Sequence, residues 1–323
     1  MGKREDEILR ESEREQCHSN IIGIHHIGMS VSDLQASLEF YTHALGTSAE
    51  PLIPAQHDNE VSAYRAPCKR ALLSFPNGYL KLSEYDRSHL PSSTVLPVKG
   101  PGITHVCYQS PTRENIYQRL MDSGATPVSR GTEPVHLLGQ GVYYAYARDR
   151  DGIMYETEHL DRSPFEGPIW FSHVALVSPN LDRLVEFYGL LLEAEPNPRT
   201  NRASGPTFDE VADYDDVMIR AAWFDIGNMI LEMWQFVNPV TPEPKQPPAI
   251  EALGYNKVAF EVSDLDKEVE RLSEQGIEFL APPGVSEDGL EACLRDPDGN
   301  LVSLIQPQEG TGRSVAQLKQ KTW

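Results

Sequence analysis

The sequence predicts an α+β fold made of four modules, each with the order strand, helix, strand, strand, strand (βαβββ). Residues 24–41 align with residues 171–188, and residues 102–124 align with residues 254–276. In each segment, apolar residues first alternate as in a strand and then recur at helical spacing. Self-similarity at a regular interval indicates a repeated structural unit of the fold.

The first pair of segments opens each half of the chain. Its strands carry His26 and His173 at equivalent positions, and an Asp or Asn after each strand favours a helix start. Each helix carries a Phe-Tyr pair, at 40–41 and 187–188, that we expect to be core. His25 is expected on the strand face opposite His26, because successive strand residues point to opposite faces.

The second pair of segments opens the second module of each half. His105 aligns with Lys257 on the two predicted first strands. A tight D-x-D-G turn, Asp149–Gly152 or Asp296–Gly299, precedes the last strand of each of these modules. We therefore expect the modules to end on a hairpin whose final strand follows this turn.

The module boundaries predict two domains of two modules each. The first covers residues 21–163 and the second residues 168–307, and a short segment rich in Pro and Gly separates them. Residues 1–20 are predicted to be a charged N-terminal extension, and residues 308–323 a polar tail.

Composition excludes several classes of function. The chain has 323 residues and a formal net charge of −20, which disfavours binding to nucleic acid or to anionic lipid. It contains no apolar run long enough to span a membrane and no apolar stretch of a secretory signal. Its four cysteines are scattered, so we expect a cytoplasmic protein with reduced thiols. Cys107, in an apolar strand pattern, is expected to be a core residue.

These strand starts and D-x-D-G turns resemble the vicinal oxygen chelate superfamily, which includes glyoxalase I, extradiol dioxygenases and bleomycin-resistance proteins. The resemblance implies that paired modules form two glyoxalase-like domains with cupped mixed β-sheets around a divalent metal. It also implies a small-molecule substrate that chelates the metal through two oxygens. Members of the superfamily often form homodimers, so the resemblance makes a homodimer possible, but the sequence does not settle the oligomeric state.

In that superfamily each module supplies a ligand from its first strand, often His, and another from its last strand, often Glu. The equivalent positions here, in module order, are His26 and Lys81, His105 and Glu156, His173 and Glu232, and Lys257 and Ser303. A protonated Lys cannot coordinate a metal. The resemblance therefore implies one working metal site and one that has lost its ligands.

The pairing of the modules decides the ligand set, and the connectors allow two solutions. If neighbouring modules pair, the ligands are His26, His105 and Glu156, two His and one carboxylate as in non-haem Fe(II) oxygenases. If the second module pairs with the third, the set is His105, Glu156, His173 and Glu232. That four-ligand set resembles glyoxalase I and suits Ni, Zn or Mn.

A local pattern favours the Fe(II) solution. His136, Tyr146, Asp149, Gly152 and Glu156 resemble a stretch of the extradiol dioxygenases. That resemblance implies that Tyr146 and His136 assist proton transfer and oxygen handling.

Three hypotheses of function follow from the sequence. The first is an Fe(II) extradiol-type dioxygenase that opens a small aromatic diol with O2. The second is a glyoxalase-like metal-dependent isomerase, epimerase or lyase. The third is a non-catalytic resistance-type protein that binds a small molecule and needs no metal.

Overall fold

The structure is a computed structural model, and it describes residues 20–50, 68–88, 95–137, 140–162, 167–308 and 313–318. The predicted N-terminal extension thus lies outside the described residues except for Asn20. No described helix combines the length and the apolar character needed to cross a bilayer.

The first two modules follow the predicted order of elements. The first consists of β1 (Ile21–Ser30), α1 (Leu34–Leu45), β2 (Ser48–Ala49), β3 (Cys68–Phe75) and β4 (Gly78–Tyr85). The second adds one short strand and consists of β5 (Gly102–Pro111), α2 (Ile116–Asp122), β6 (Thr126–Pro127), β7 (Val135–His136), β8 (Val142–Arg148) and β9 (Met154–Leu160).

The last two modules repeat this order. The third has an additional short helix and consists of β10 (Trp170–Val177), α3 (Leu181–Leu192), β11 (Arg199–Ser204), α4 (Pro206–Ala212), β12 (Met218–Asp225) and β13 (Ile230–Asn238). The fourth consists of β14 (Gly254–Val262), α5 (Leu265–Glu274), β15 (Gly284–Ser286), β16 (Gly289–Arg295) and β17 (Leu301–Pro307). The predicted α+β class and four-module organisation are confirmed.

Polar side chains start three of these helices where the sequence predicts them. Asp33 accepts a hydrogen bond from the backbone N–H of Ala36 at 3.0 Å, which begins α1. Asn180 and Asp264 begin α3 and α5 in the same way. Each cap satisfies a backbone donor that the first helical turn leaves without a partner.

The modules pair across the two halves of the chain to form two mixed sheets. The first sheet has the order β15-β16-β17-β14-β1-β4-β3-β2, and the second the order β11-β12-β13-β10-β5-β9-β8-β6, with β7 added to β8. The antiparallel pairs β1–β14 and β5–β10 join module 1 to module 4 and module 2 to module 3. The crossed pairing is therefore the one present.

The repeated Phe-Tyr pairs have a polar role as well as an apolar one. Tyr41 on α1 is fully buried and donates a hydrogen bond to Asp149 at 2.8 Å, in the turn that precedes β9. Tyr188 on α3 reaches Asp296 in the equivalent turn of module 4 at 3.3 Å. Each predicted half of the chain is thus tied together by a tyrosine, although its two modules belong to different sheets.

A pair of buried asparagines joins the two sheets. Asn77, in the β3–β4 turn, donates to the backbone carbonyl of Phe171 at 2.8 Å and accepts from its N–H at 2.9 Å. Asn228, in the β12–β13 turn, bonds the backbone of Ile24 in the same two ways. Each hairpin thus provides hydrogen-bond partners for the backbone of the first strand of a module in the opposite sheet.

We expect Asn77→Ala to lower the free energy of unfolding by about 2–6 kcal/mol. The change leaves the buried N–H and carbonyl of Phe171 without a partner, and each such group costs about 1–3 kcal/mol. Urea unfolding of the variant checks this. The control is Asn201→Ala, an exposed position on β11 where a change of less than about 0.5 kcal/mol is expected. Equal effects of the two substitutions would contradict the role given to Asn77.

A bulge in β1 changes which residues share a face. The register with β14 shifts between Ile24 and His26, so Ile24 and Ile27 both pack into the main core. His25 and His26 consequently lie together on the other face, with their Nδ1 atoms 2.9 Å apart. The expectation for His25 is wrong, because the extra residue of a bulge interrupts the alternation of faces.

Candidate metal centre

Four ligand-type side chains converge on one face of the second sheet. His105 and His173 lie on the two central strands, and Glu156 and Glu232 on the strands that flank them. We call these four residues the tetrad, and the sheet face that bears them the tetrad face. Each of the four is at most 6% exposed.

The distances that join the two tetrad histidines to each other and to the two carboxylates are close to those between the ligands of a single divalent ion. The Nε2 atom of His105 lies 3.4 Å from the Nε2 atom of His173, 3.2 Å from Glu156 Oε2 and 3.8 Å from Glu232 Oε2. The corresponding distances from His173 are 3.7 and 3.3 Å. Ligands about 2.1 Å from a tetrahedral ion are separated by about 3.4 Å. Buried Glu232 Oε2 makes no hydrogen bond with any described residue, so the donor set fits a metal.

Opposite charges within the tetrad shift the pKa values of its members. Burial disfavours the charged form of Glu156, but His173 and His105 outweigh burial and hold its pKa at about 2. Burial also opposes protonation of His173, yet Glu232 and Glu156 raise its pKa to about 9. The two carboxylates therefore create a strong local preference for positive charge, which a divalent cation can satisfy.

Polar neighbours orient the tetrad side chains. Thr104 Oγ lies 3.1 Å from Nδ1 of His105, so the hydroxyl binds the nitrogen that points away from the tetrad. Ser172 occupies the equivalent place beside His173 at 3.4 Å. The Nε1–H of Trp223 donates to Glu232 Oε1 at 2.7 Å and leaves Oε2 directed at the tetrad. Such outer partners fix ligand orientation and tune metal affinity.

We expect Trp223→Phe to lower metal affinity by about ten- to a hundredfold, the range found for outer partners of metal ligands. The phenylalanine keeps an apolar ring but cannot donate to Glu232. Competition of Mn²⁺ and Zn²⁺ against a chromophoric chelator measures the change. Trp234→Phe is the matched control, because Trp234 lies two residues from Glu232 and its Nε1–H has no hydrogen-bond partner in the part of the chain that the structure describes. An unchanged affinity in Trp223→Phe would contradict the orienting role.

The two predicted catalytic residues have different surroundings. The ring of Tyr146 is 5.0 Å from the ring of His105, and the residue is 1% exposed. His136 is exposed, stacks on Tyr143 and accepts from the N–H of Gly141 at 3.3 Å. No contact in the described part of the chain joins His136 to the tetrad. The structure thus places Tyr146 beside the tetrad but gives His136 no contact through which to assist the reaction.

The sequence analysis singled out Tyr146 but not Tyr144. Tyr144 lies two residues before Tyr146 on β8 and is buried, and its hydroxyl has no hydrogen-bond partner among the described residues. Burial and the charges of Glu156, Glu158 and Glu232 raise its pKa well above the usual value of a tyrosine, so the hydroxyl stays protonated and remains a donor. The alternation of β8 could have revealed it, since Tyr144 and Tyr146 share a face.

The first sheet bears the predicted ligand positions of modules 1 and 4, and none of the four tetrad residues lies on it. His26 lies on β1 of this sheet, so the neighbour-pairing set of His26, His105 and Glu156 is not brought together. That alternative is wrong for this chain, because β1 pairs with β14 and not with β5.

Ion pairs occupy the ligand positions of the first sheet. Lys81 Nζ lies 2.6 Å from Asp288, and Lys257 Nζ 2.8 Å from Glu291. Ser303 donates to Glu291 at 2.6 Å. We call these five residues the ion-pair cluster. Its two carboxylates come from the β15–β16 hairpin, which no sequence motif marked.

The ion-pair cluster predicts acid sensitivity. Burial would raise the pKa of Glu291, but Lys257 outweighs it and holds the pKa at about 2. A carboxyl whose pKa is lower in the folded than in the unfolded state stabilises the fold above its unfolded pKa of about 4.5. We expect this stabilisation to be lost as the pH falls from about 4.5 to about 2. Urea unfolding at several pH values tests it, and an unchanged pH slope in Glu291→Gln would contradict it.

The chain matches one family model twice. The model is that of the glyoxalase/bleomycin resistance protein/dioxygenase superfamily, and the matches cover residues 23–157 and 170–304. No curated protein matches the chain.

Solved structures with the same fold include two that span nearly the whole chain. Glyoxalase I from Zea mays has 20% sequence identity and a TM-score of 0.60, with 88% of this chain and 92% of that one covered. A candidate dioxygenase from Bacillus subtilis has 13% identity and a TM-score of 0.56, with 90% and 86% covered. At these identities the likeness concerns the fold alone.

Proposed function

The chain belongs to the glyoxalase/bleomycin resistance protein/dioxygenase superfamily, and from that premise we propose that it is a metal-dependent isomerase, epimerase or lyase. The observation that carries this proposal is the tetrad, which offers two imidazoles and two carboxylates to one ion. Zn, Ni or Mn suits this donor set. Residues 105, 156, 173 and 232 are the proposed ligands.

The proposed reaction begins with the removal of a proton from the carbon next to a carbonyl group. A divalent ion held by the tetrad supplies Lewis-acid chemistry that polarises the carbonyl and makes this proton more acidic. Glu232 is held in place, because one of its carboxylate oxygens accepts the Trp223 N–H. We therefore assign Glu232 the role of a fixed metal ligand.

Glu156 is the carboxylate proposed to transfer the proton. Its Oε2 lies 3.2 Å from His105 and 3.7 Å from His173, so in this proposal its other oxygen, Oε1, is the one that reaches the substrate. That oxygen can accept a proton from one carbon and deliver it to the neighbouring carbon or oxygen. Tyr146 packs on the ring of His105 and restricts its rotation, so we assign it a positioning role.

The lining of the tetrad face indicates the type of substrate. Tyr144, Tyr146 and Phe236 belong to an apolar cluster on this face, and Trp234 packs against it. The three carboxylates there, Glu156, Glu158 and Glu232, make no ion pair with Lys or Arg within the described ranges. We therefore propose a substrate with two neighbouring oxygens and an uncharged apolar body. The unpartnered Tyr144 hydroxyl and Trp234 N–H are its hydrogen-bond donors.

A dioxygenase is the second candidate, and one observation favours it. His105, His173 and Glu232 form a compact group of two imidazoles and one carboxylate, the composition used by non-haem Fe(II) oxygenases. Such an enzyme needs open positions for the diol and O2. Glu156, 3.2 Å from His105, stands at one of them, so the isomerase or lyase is preferred.

Deuterium exchange tests the proposal directly. Protein reconstituted with Zn²⁺, Ni²⁺ or Mn²⁺ is incubated in D2O with 2-hydroxyketones that carry alkyl or phenyl groups, and proton NMR follows the hydrogen next to the carbonyl. We expect metal-dependent exchange or isomerisation that Glu156→Gln abolishes. Oxygen uptake with catechols by the Fe(II) form, without exchange, would support the dioxygenase instead. Binding without turnover in both assays would leave the non-catalytic reading.

A further inference from the structure

Cys107 lies two residues after His105 on β5 and therefore shares its face. Its neighbours Val106 and Tyr108 point the other way, into the main core. Cys107 is fully buried, as expected of a core residue. Its thiol lies on the tetrad face, opposite the side chains of Val106 and Tyr108.

The thiol forms a compact group with two members of the tetrad. One ligand atom from each of Cys107, Glu156 and His173 lies within 4.8 Å of the other two. Cys107 is directly opposite Glu156 in the β5–β9 register, and the bulged segment of β10 that bears His173 flanks it on the other side. Glu156 and His173 therefore belong both to the tetrad and to this group.

We propose that Cys107, Glu156 and His173 form a second metal position, overlapping the tetrad, that takes thiophilic divalent ions such as Cd²⁺. This position rests on the proposed metal function of the tetrad. Sulfur ligands favour these softer ions, whereas carboxylates favour harder ones such as Mn²⁺. As the sulfur–metal bond forms, the thiol loses its proton to solvent, and no electron is transferred.

The two metal positions are mutually exclusive, because both use Glu156 and His173. One ion at a time can use Glu156 and His173, so occupation of the thiolate position takes an ion away from His105 and Glu232. It also engages Glu156, the proposed proton carrier. The centre thus holds a catalytic position for harder ions and an inhibitory position for thiophilic ones.

Cobalt spectroscopy tests the thiolate position without an activity assay. Co²⁺ is added to the metal-free full chain, and the near-ultraviolet band of thiolate-to-cobalt charge transfer is recorded for wild type, Cys107→Ser and Cys293→Ser. Cys293 is the matched control, because it is a buried cysteine on β16 of the other sheet, beside Glu291 and Ser303. We expect the band in wild type and in Cys293→Ser, and its loss in Cys107→Ser.

Competition between metals gives the second readout. We expect Cys107→Ser to weaken Cd²⁺ binding by at least about tenfold, the lower limit even for an outer partner of a ligand, and to leave Mn²⁺ binding unchanged. Bound Co²⁺ with no charge-transfer band in wild type would overturn the thiolate position and leave the tetrad standing. A band that persists in Cys107→Ser would also overturn it. Failure of the wild type to bind any of these ions would overturn both proposals.

Discussion

Glu232→Gln is expected to lower metal affinity by more than about a hundredfold and to reduce metal-dependent activity to a similar extent. The amide keeps the shape of the side chain and can still bind Trp223, but it removes the negative charge that faces His105 and His173. Loss of an outer partner alone costs about ten- to a hundredfold, so loss of a charged ligand should cost more. Elemental analysis of purified protein, together with titration by Mn²⁺ or Zn²⁺, measures the effect.

The control for this prediction is His26→Ala. His26 was an alternative ligand from the sequence, but it lies on the first sheet, 4.0 Å from Asp288 and apart from the tetrad. We therefore expect it to keep the metal content of the wild type. The reverse result, in which His26→Ala loses the metal and Glu232→Gln retains it, would contradict the assignment of the tetrad.

Lys257→Met is expected to lower the free energy of unfolding by about 3–5 kcal/mol, the cost of leaving a buried partner charge uncompensated. Lys257 lies 2.8 Å from Glu291, and both side chains are largely buried. Burial alone would lower the pKa of Lys257, but Glu291 raises it instead, which is consistent with a charged pair. Urea unfolding monitored by circular dichroism measures the loss.

The double variant Lys257→Met with Glu291→Leu separates charge from packing. Replacement of both partners by apolar residues of similar size is often neutral or stabilising, so the double variant should recover most of the lost stability. If the double variant is as unstable as the single one, the effect comes from packing and the interpretation fails. Metal content should stay unchanged in both, because the ion-pair cluster and the tetrad belong to different sheets.

The local pattern of the sequence determined the modules and their ligand positions. Strand alternation, helix caps and D-x-D-G turns act over a few residues, so they are readable without knowledge of the rest of the chain. The alignment of the modules was enough to select His105, Glu156, His173 and Glu232 as candidates. Strand alternation gave the wrong face for His25, because the sequence does not show where a bulge adds a residue to a strand.

Only the tertiary structure decided which modules pair, and with that which of the candidate residues meet. The β1–β14 and β5–β10 ladders join distant segments, and closing a longer loop costs little additional entropy, so connector length could not select between the two pairings. The observed pairing consists of contacts between distant residues, such as Ile27 with Val258 and Val106 with Val174. The same long-range packing brings Asp288 to Lys81 and His173 to Cys107, and no local pattern encodes either contact.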